Sequence, residues 1–262
     1  MAIWGLVFAF IAAAAVARAA HGLGWLDRGG AAAATAVGGT IFAFAGWRGA
    51  ALLLAFFVTS SLLSRLPGGE VRRARRGRSG RQVLANGGVP ALCALLLGVL
   101  AGEGGASLAA LAFAGSLAAV TADTWASEIG RFFGQAPRSA ITMRTLEPGE
   151  SGGVTVAGTS GGLMGAAAIG WMAALVLPGF GLREAAVVEA AGAMGMWFDS
   201  VLGASLQFKG RCGACGRVVE DARHEHALES KRGLPFVDND AVNMCAAAFG
   251  AGAAAVLGVV WT

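Results

Sequence analysis

The chain has 262 residues, 56% of them hydrophobic and only 14% charged, with a mean hydropathy of +0.64. A soluble domain carries about 25% charge, so an ordinary water-soluble enzyme is excluded and an integral membrane protein is expected. The formal net charge of +4 describes a basic membrane face, because the cations cluster between apolar stretches; membrane lipids are the expected surroundings and no nucleic-acid partner is expected.

Stretches long enough to cross about 30 Å of hydrocarbon recur at about 3–20, 31–47, 48–66, 83–101, 106–129, 154–177, 185–207 and 240–261. The first lacks a basic start and carries Arg18 at its far end, so it reads as an uncleaved span rather than a signal peptide. The second and third are divided by Gly46-Trp47-Arg48-Gly49. The prediction is an all-α polytopic membrane bundle of about eight transmembrane helices, seven if that division is lost, forming one integral membrane domain over 1–262. With the N-terminus outside, all but Arg48 and Arg183 of the 20 basic residues fall in inner links. That bias predicts a multi-pass protein of the cell (inner) membrane with its functional loops in the cytoplasm. The 42 glycines, as in the runs 161–165 and 192–195, suit close helix–helix approach.

Polar residues crowd the inner side. Arg78, Arg81, Gln82 and Asn86 lead into the fourth span, beyond a run of further arginines suited to lipid headgroups, and are a candidate phosphate clamp. Asp123 and Glu128 lie in the fifth span, Glu128 near its inner end and Asp123 about 7–8 Å deeper. The stretch 147–155, with Ser151, Gly152, Gly153 and Thr155, precedes the sixth span, where glycines and hydroxyls before a helix N-terminus suit phosphate. It is not a Walker A loop, because the Gly-Lys-Ser/Thr ending is missing. Asp199 sits about 12 Å inside the seventh span. Cys212 and Cys215, with His224 and His226, have the residue types of a Zn²⁺ site, with unliganded reduced thiols or, less favoured, a redox pair as the alternatives. Asp240 opens the last span beside Asn239 and Asn243, which share a helix face, while Asp238 suits a helix cap. Carboxylates at bilayer depth cost several kcal/mol, roughly 3 on insertion scales. Three uses are open: Mg²⁺ held with phosphate oxygens, proton or Na⁺ handling in a transporter or flippase, or plain ion pairing in a scaffold.

Five stretches carry a family resemblance: Arg-x-x-Arg-Gln-Val-Leu-Ala-Asn-Gly at 78–87, Ala-Asp-Thr-Trp-Ala-Ser-Glu-Ile-Gly at 122–130, Ser-Gly-Gly-Val-Thr at 151–155, Asp-Ser-Val-Leu-Gly-Ala at 199–204, and Asn-Asp-Ala-Val-Asn at 239–243. In this order they resemble the domain-of-unknown-function 92 group of integral membrane proteins, which includes transmembrane protein 19 and the plant phytyl-phosphate kinase of tocopherol synthesis. The last cytoplasmic loop departs from the pattern, with His224-Glu225-His226 where a His-Cys pair is expected. The resemblance implies phosphoryl transfer from a nucleoside triphosphate, CTP being expected, to an isoprenoid monophosphate lipid. It also implies Asp123, Glu128, Asp199 and Asp240 around Mg²⁺-nucleotide, with Ser127, Ser151, Gly152, Gly153, Thr155 and Ser200 near its phosphates. Arg78 and Arg81 would hold the acceptor phosphate, while Gln82, Asn86, Asn239 and Asn243 orient these groups.

Overall fold

Seven helices carry nearly all of the apolar sequence: α1 (Ile3–Gly22), α2 (Arg28–Leu63), α3 (Gly80–Val99), α4 (Ala106–Phe132), α5 (Val156–Val176), α6 (Leu182–Ser205) and α7 (Asn239–Val260). Each is long and apolar enough to cross a membrane. The computed structural model describes residues 3–66, 77–101, 105–214, 216, 218–220 and 228–261.

Helix α2 accounts for the choice between seven spans and eight. As one straight rod its 36 residues would measure about 54 Å, far beyond the hydrocarbon thickness. Gly46 breaks it, with φ +66° and ψ −167°, a backbone combination essentially confined to glycine. A Cβ at Gly38 would stand 3.9 Å from Leu53, although a straight helix would separate these two residues by about 22 Å. The first arm also runs alongside α3, meeting it in step at Gly29 and Gly80, Val37 and Gly87, and Phe44 and Gly98. The second arm must therefore return to where α3 begins. Two arms of roughly 26 Å each match the second and third predicted spans.

Most of α4 is buried, whereas the other helices keep the larger share of their residues at the surface. It packs against α3, α5, α6 and α7, and glycines set the separations. Gly161, Gly162 and Gly165 of α5 lie against Ile129, Ala122 and Trp125, while Gly192 and Gly195 of α6 lie against Ala118 and Ala119. The core joins Ile41, Leu52, Phe113, Leu117, Ile169 and Val188. Large apolar side chains such as Trp4, Leu175 and Val260 face outward, as lipid as solvent allows.

The described parts of the connections between α1 and α2, α2 and α3, α4 and α5, and α6 and α7 meet at one end of the bundle. Trp25 and Asp27 exchange backbone hydrogen bonds with Arg78, Arg65 donates to the Leu23 carbonyl, and Gln207 donates to Ser151. Short strands, not anticipated in the all-α reading, stiffen these links. β1 (Arg138–Ser139) pairs with β2 (Gly153–Val154), and β3 (Lys209–Cys212) lies between β4 (Val218–Val219) and β5 (Leu228–Arg232). They are too short and polar to show the alternation from which strands are read.

Candidate functional site

The carboxyl groups of Asp123 on α4 and Asp199 on α6 face each other at hydrogen-bonding distance. Helix register puts them there. α4 and α6 run in the same direction, and Gly195 rests on Ala119; one turn further along each helix lie Asp199 and Asp123. Helix α7 runs the other way. Gly195 approaches the Ala246 carbonyl, so the preceding turn of α7 brings Asn243 to the same level. With its amide nitrogen toward the carboxylate, Asn243 donates to Asp199 Oδ2 at 3.2 Å and to the Asn239 carbonyl at 3.1 Å. The Asn243 carboxamide is also 3.4 Å from those of Asn239 and Asn86. Three helices thus converge on one half-buried acidic pair, and α3 reaches it through Asn86.

The other acids form separate contacts. Glu128 accepts from Arg131 at 2.6 Å and from Ser64 at 2.9 Å. Asp240 lies 3.4 Å from the Arg81 Nε, and Asp238 accepts from Arg81 at 2.6 Å. Asp238 also caps α7 through the Ala241 amide. Burial alone would raise its pKa, but the Ala241 amide and Arg81 hold it below the ordinary carboxylate range. The expected ring of four carboxylates is therefore a facing pair flanked by two ion-paired acids. Among the described residues no three His, Cys, Asp or Glu side chains converge to hold a metal. The pair still fits Mg²⁺, which takes one or two carboxylates and completes its shell with water and substrate phosphates.

Several residues expected at phosphate have structural partners. Gln82 completes a capping box with Ser79, and Thr155 caps α5 by accepting from the Gly158 amide at 2.9 Å. Gln135 takes the Ala157 amide at 3.1 Å, so the start of α5 has fewer open N–H groups than its sequence suggests. The Ser151 amide and hydroxyl donate to the Glu220 carboxylate at 2.7 and 2.8 Å, and Gln207 donates to the same carboxylate at 3.2 Å. Lys209, itself buried, donates to Glu150 at 3.0 Å. Gly152 has φ +75°; a Cβ there would collide with Ala204, and one at Gly203 would collide with Gly152; the neighbouring Gly153 lies in β2. Ser127 is exposed and Ser200 half-buried on their helices. Cys212 is buried in β3; Cys215, His224 and His226 lie outside the described residues.

Sequence reasoning missed Ser64, Lys209, Gln207 and Glu220. Arg131 alone was open to it, three residues after Glu128 on the same helix face.

An apolar cavity of about 330 Å³ lies between α1, both arms of α2 and α3. Its apolar wall includes Ala13, Gly38, Phe42, Trp47 and Ala51, and Arg78, Gln82 and Asn86 also line it. The Arg78 guanidinium lies 5.8 Å from the ring centre of Phe56 and 6.0 Å from that of Phe57. Burial lowers its pKa from the ordinary arginine value, against the pull of Glu128. Among the described residues Arg78 forms no ion pair. A separate cleft of about 430 Å³ lies at the start of α5, beside Arg138 and Thr159.

Comparison with known proteins agrees with this architecture. The Arabidopsis thaliana protein PGR is 31% identical over 268 residues, covering 91% of each chain. An uncharacterized membrane protein of Methanocaldococcus jannaschii is 34% identical over 190 residues, 71% of this chain and 76% of that one. The chloroplastic protein VTE6 of Arabidopsis is 27% identical over 229 residues, 84% of this chain and 61% of its own length. No solved structure matches significantly. The family described as "Integral membrane protein DUF92" matches residues 10–251. With its ordered motifs, its apolar helices and a match over nearly its full length, the chain belongs to the DUF92 family of integral membrane proteins.

Proposed function

We propose that this protein is a prenyl-phosphate kinase, moving the γ-phosphoryl group of a nucleoside triphosphate, CTP being the expected donor, onto an isoprenoid monophosphate. One observation carries the reading: a chain of side-chain contacts links the wall of the apolar cavity to the acidic pair. Asn86 lines the cavity and touches Asn243, which in turn donates to Asp199. A lipid tail in the cavity would leave its phosphate beside Arg78 and within reach of the carboxylates. The motif resemblance implies the same reaction.

An oxygen of the acceptor phosphate attacks the γ-phosphorus while the bond to the β-phosphate oxygen breaks, giving a prenyl diphosphate and a nucleoside diphosphate. The acceptor is already an anion at neutral pH, so no strong general base is required. Phosphoryl transfer of this kind is mostly positioning and charge neutralisation. Asp123 and Asp199 would hold Mg²⁺, which supplies charge neutralisation between the phosphates. Arg78 orients the acceptor. Gly203, against which the Ser151 loop packs, is one turn, about 6 Å, from Asp199 along α6, and the nucleotide phosphates would take over the Ser151 donors that Glu220 now occupies. On the positive-inside bias this end faces the cytoplasm.

Purified protein supplied with CTP or ATP, Mg²⁺ and prenyl monophosphates should form diphosphates. Asp123→Asn should reduce turnover by about 100-fold or more while the variant still folds in the membrane. Full activity in that variant would refute the metal assignment. No diphosphate from any prenyl monophosphate, alongside ion flux in liposomes, would favour a transporter instead.

A further inference from the structure

Resting on that kinase reading, we infer that the cavity between α1, α2 and α3 is the channel that measures the substrate's isoprenoid tail, with Ala51 lining its length and Phe42 and Trp47 closing its far end. The inner end is fixed by Arg78, whose guanidinium lies over Phe56 and Phe57. From Phe57 back to Trp47, along the second arm of α2, is about 15 Å, half the hydrocarbon thickness. The stop is a property of the fold. Trp47 follows Gly46 directly, so the wall stands where the helix reverses.

The space between exists because the lining is small. Ala13 of α1, Gly38 of the first arm and Ala51 of the second all border it. At Gly38 a Cβ would meet Ala13 and Leu53 at 3.4 and 3.9 Å, ordinary contact distances, so glycine there leaves room without being demanded by packing. The cavity volume of about 330 Å³ is at the lower end of the roughly 300–1,000 Å³ typical of small-molecule sites. A tail entering it leaves lipid rather than water, and lipid chains are as apolar as leucine. Chain length therefore cannot be read by hydrophobic gain alone. It is read by fit between a cation at one end and aromatic rings at the other. An ordinary membrane lipid has acyl chains of the same apolar chemistry; the phosphate monoester at Arg78 separates substrate from lipid.

The test uses the full-length protein in nanodiscs with geranyl, farnesyl, geranylgeranyl and phytyl monophosphates. Ala51→Phe, with Ala51→Leu as the milder variant should the first not fold, is expected to shift kcat/KM toward the shorter tails by at least tenfold relative to wild type. A uniform loss across all four, or no change, would overturn the inference. Binding is read separately from turnover with a benzophenone-tailed prenyl monophosphate. It should crosslink within residues 42–57, be displaced by unlabelled prenyl monophosphate, and resist displacement by excess phosphatidylglycerol. Crosslinking elsewhere, or displacement by phosphatidylglycerol alone, would overturn it. Crosslinking as expected in a protein without kinase activity would retain the tail site and defeat the kinase reading.

Discussion

Asn243 stands between the wall of the apolar cavity and the acidic pair. It touches Asn86 of the cavity wall and donates to Asp199 of the pair, so one carboxamide aligns groups from α3, α6 and α7. Hydrogen-bond donors behind a metal ligand fix the ligand's direction, and losing one costs 10- to 100-fold in metal affinity or activity. On the proposed reading, Asn243→Ala raises the Mg²⁺ concentration for half-maximal activity by about that factor, with little change in thermal midpoint in detergent. A kinetic Mg²⁺ titration checks it; an unchanged Mg²⁺ dependence would show that Asn243 does not orient the metal-binding carboxylate. Asp123, Asp199 and Asn243 were legible in the sequence because charge and amide groups at bilayer depth are rarely idle. The pairing of Arg81 with Asp238 and Asp240, and of Ser151 with Glu220, was not. Those contacts join segments far apart in the chain, and nothing local records which side chains will meet.

Among the elements, α4 has the tightest surroundings. α5 and α6 approach it through glycines, and Gly192 has a would-be Cβ inside contact distance of Ala118 and Ala166. Lipid offers no hydrophobic force to press helices together, so close backbone approach is a main source of cohesion. Gly192→Leu should therefore destabilise the bundle by about 1–3 kcal/mol through overpacking, seen as a lower midpoint in detergent unfolding. Gly252→Ala is the matched control, because nothing lies within 4 Å of a Cβ there, and it should be neutral or slightly stabilising. The helices and their order could be read from apolar run lengths. The three-stranded sheet β4-β3-β5 could not, since its strands are two to five residues long and exist by pairing across a link that reads as coil.

Across the whole molecule the two ends differ. Among the described residues, one gathers Asp123, Asp199, Asp240, the asparagines at 86, 239 and 243 and most of the arginines; the other has the α2 reversal, Glu184 and the short link at 177–181. A compartment-sensitive reporter fused after residue 66 should read as cytoplasmic in the wild type. Gly46→Leu forces a glycine-only backbone, at about 1–3 kcal/mol, and should move part of the population to the opposite reading. A wild-type reporter on the outside would reverse the proposed orientation.

The Gly46 reversal has a consequence beyond its own neighbourhood. A chain that crosses a membrane an even number of times returns both termini to the same compartment; an odd number separates them. With each arm crossing once, helix α2 supplies two crossings without any intervening loop, and this residue's dihedral angles then decide the parity of the molecule. Every segment after it, including Asp123, Asp199 and Asn243, inherits its compartment from that turn. A glycine remote from the acidic pair thereby determines which side of the membrane that pair faces.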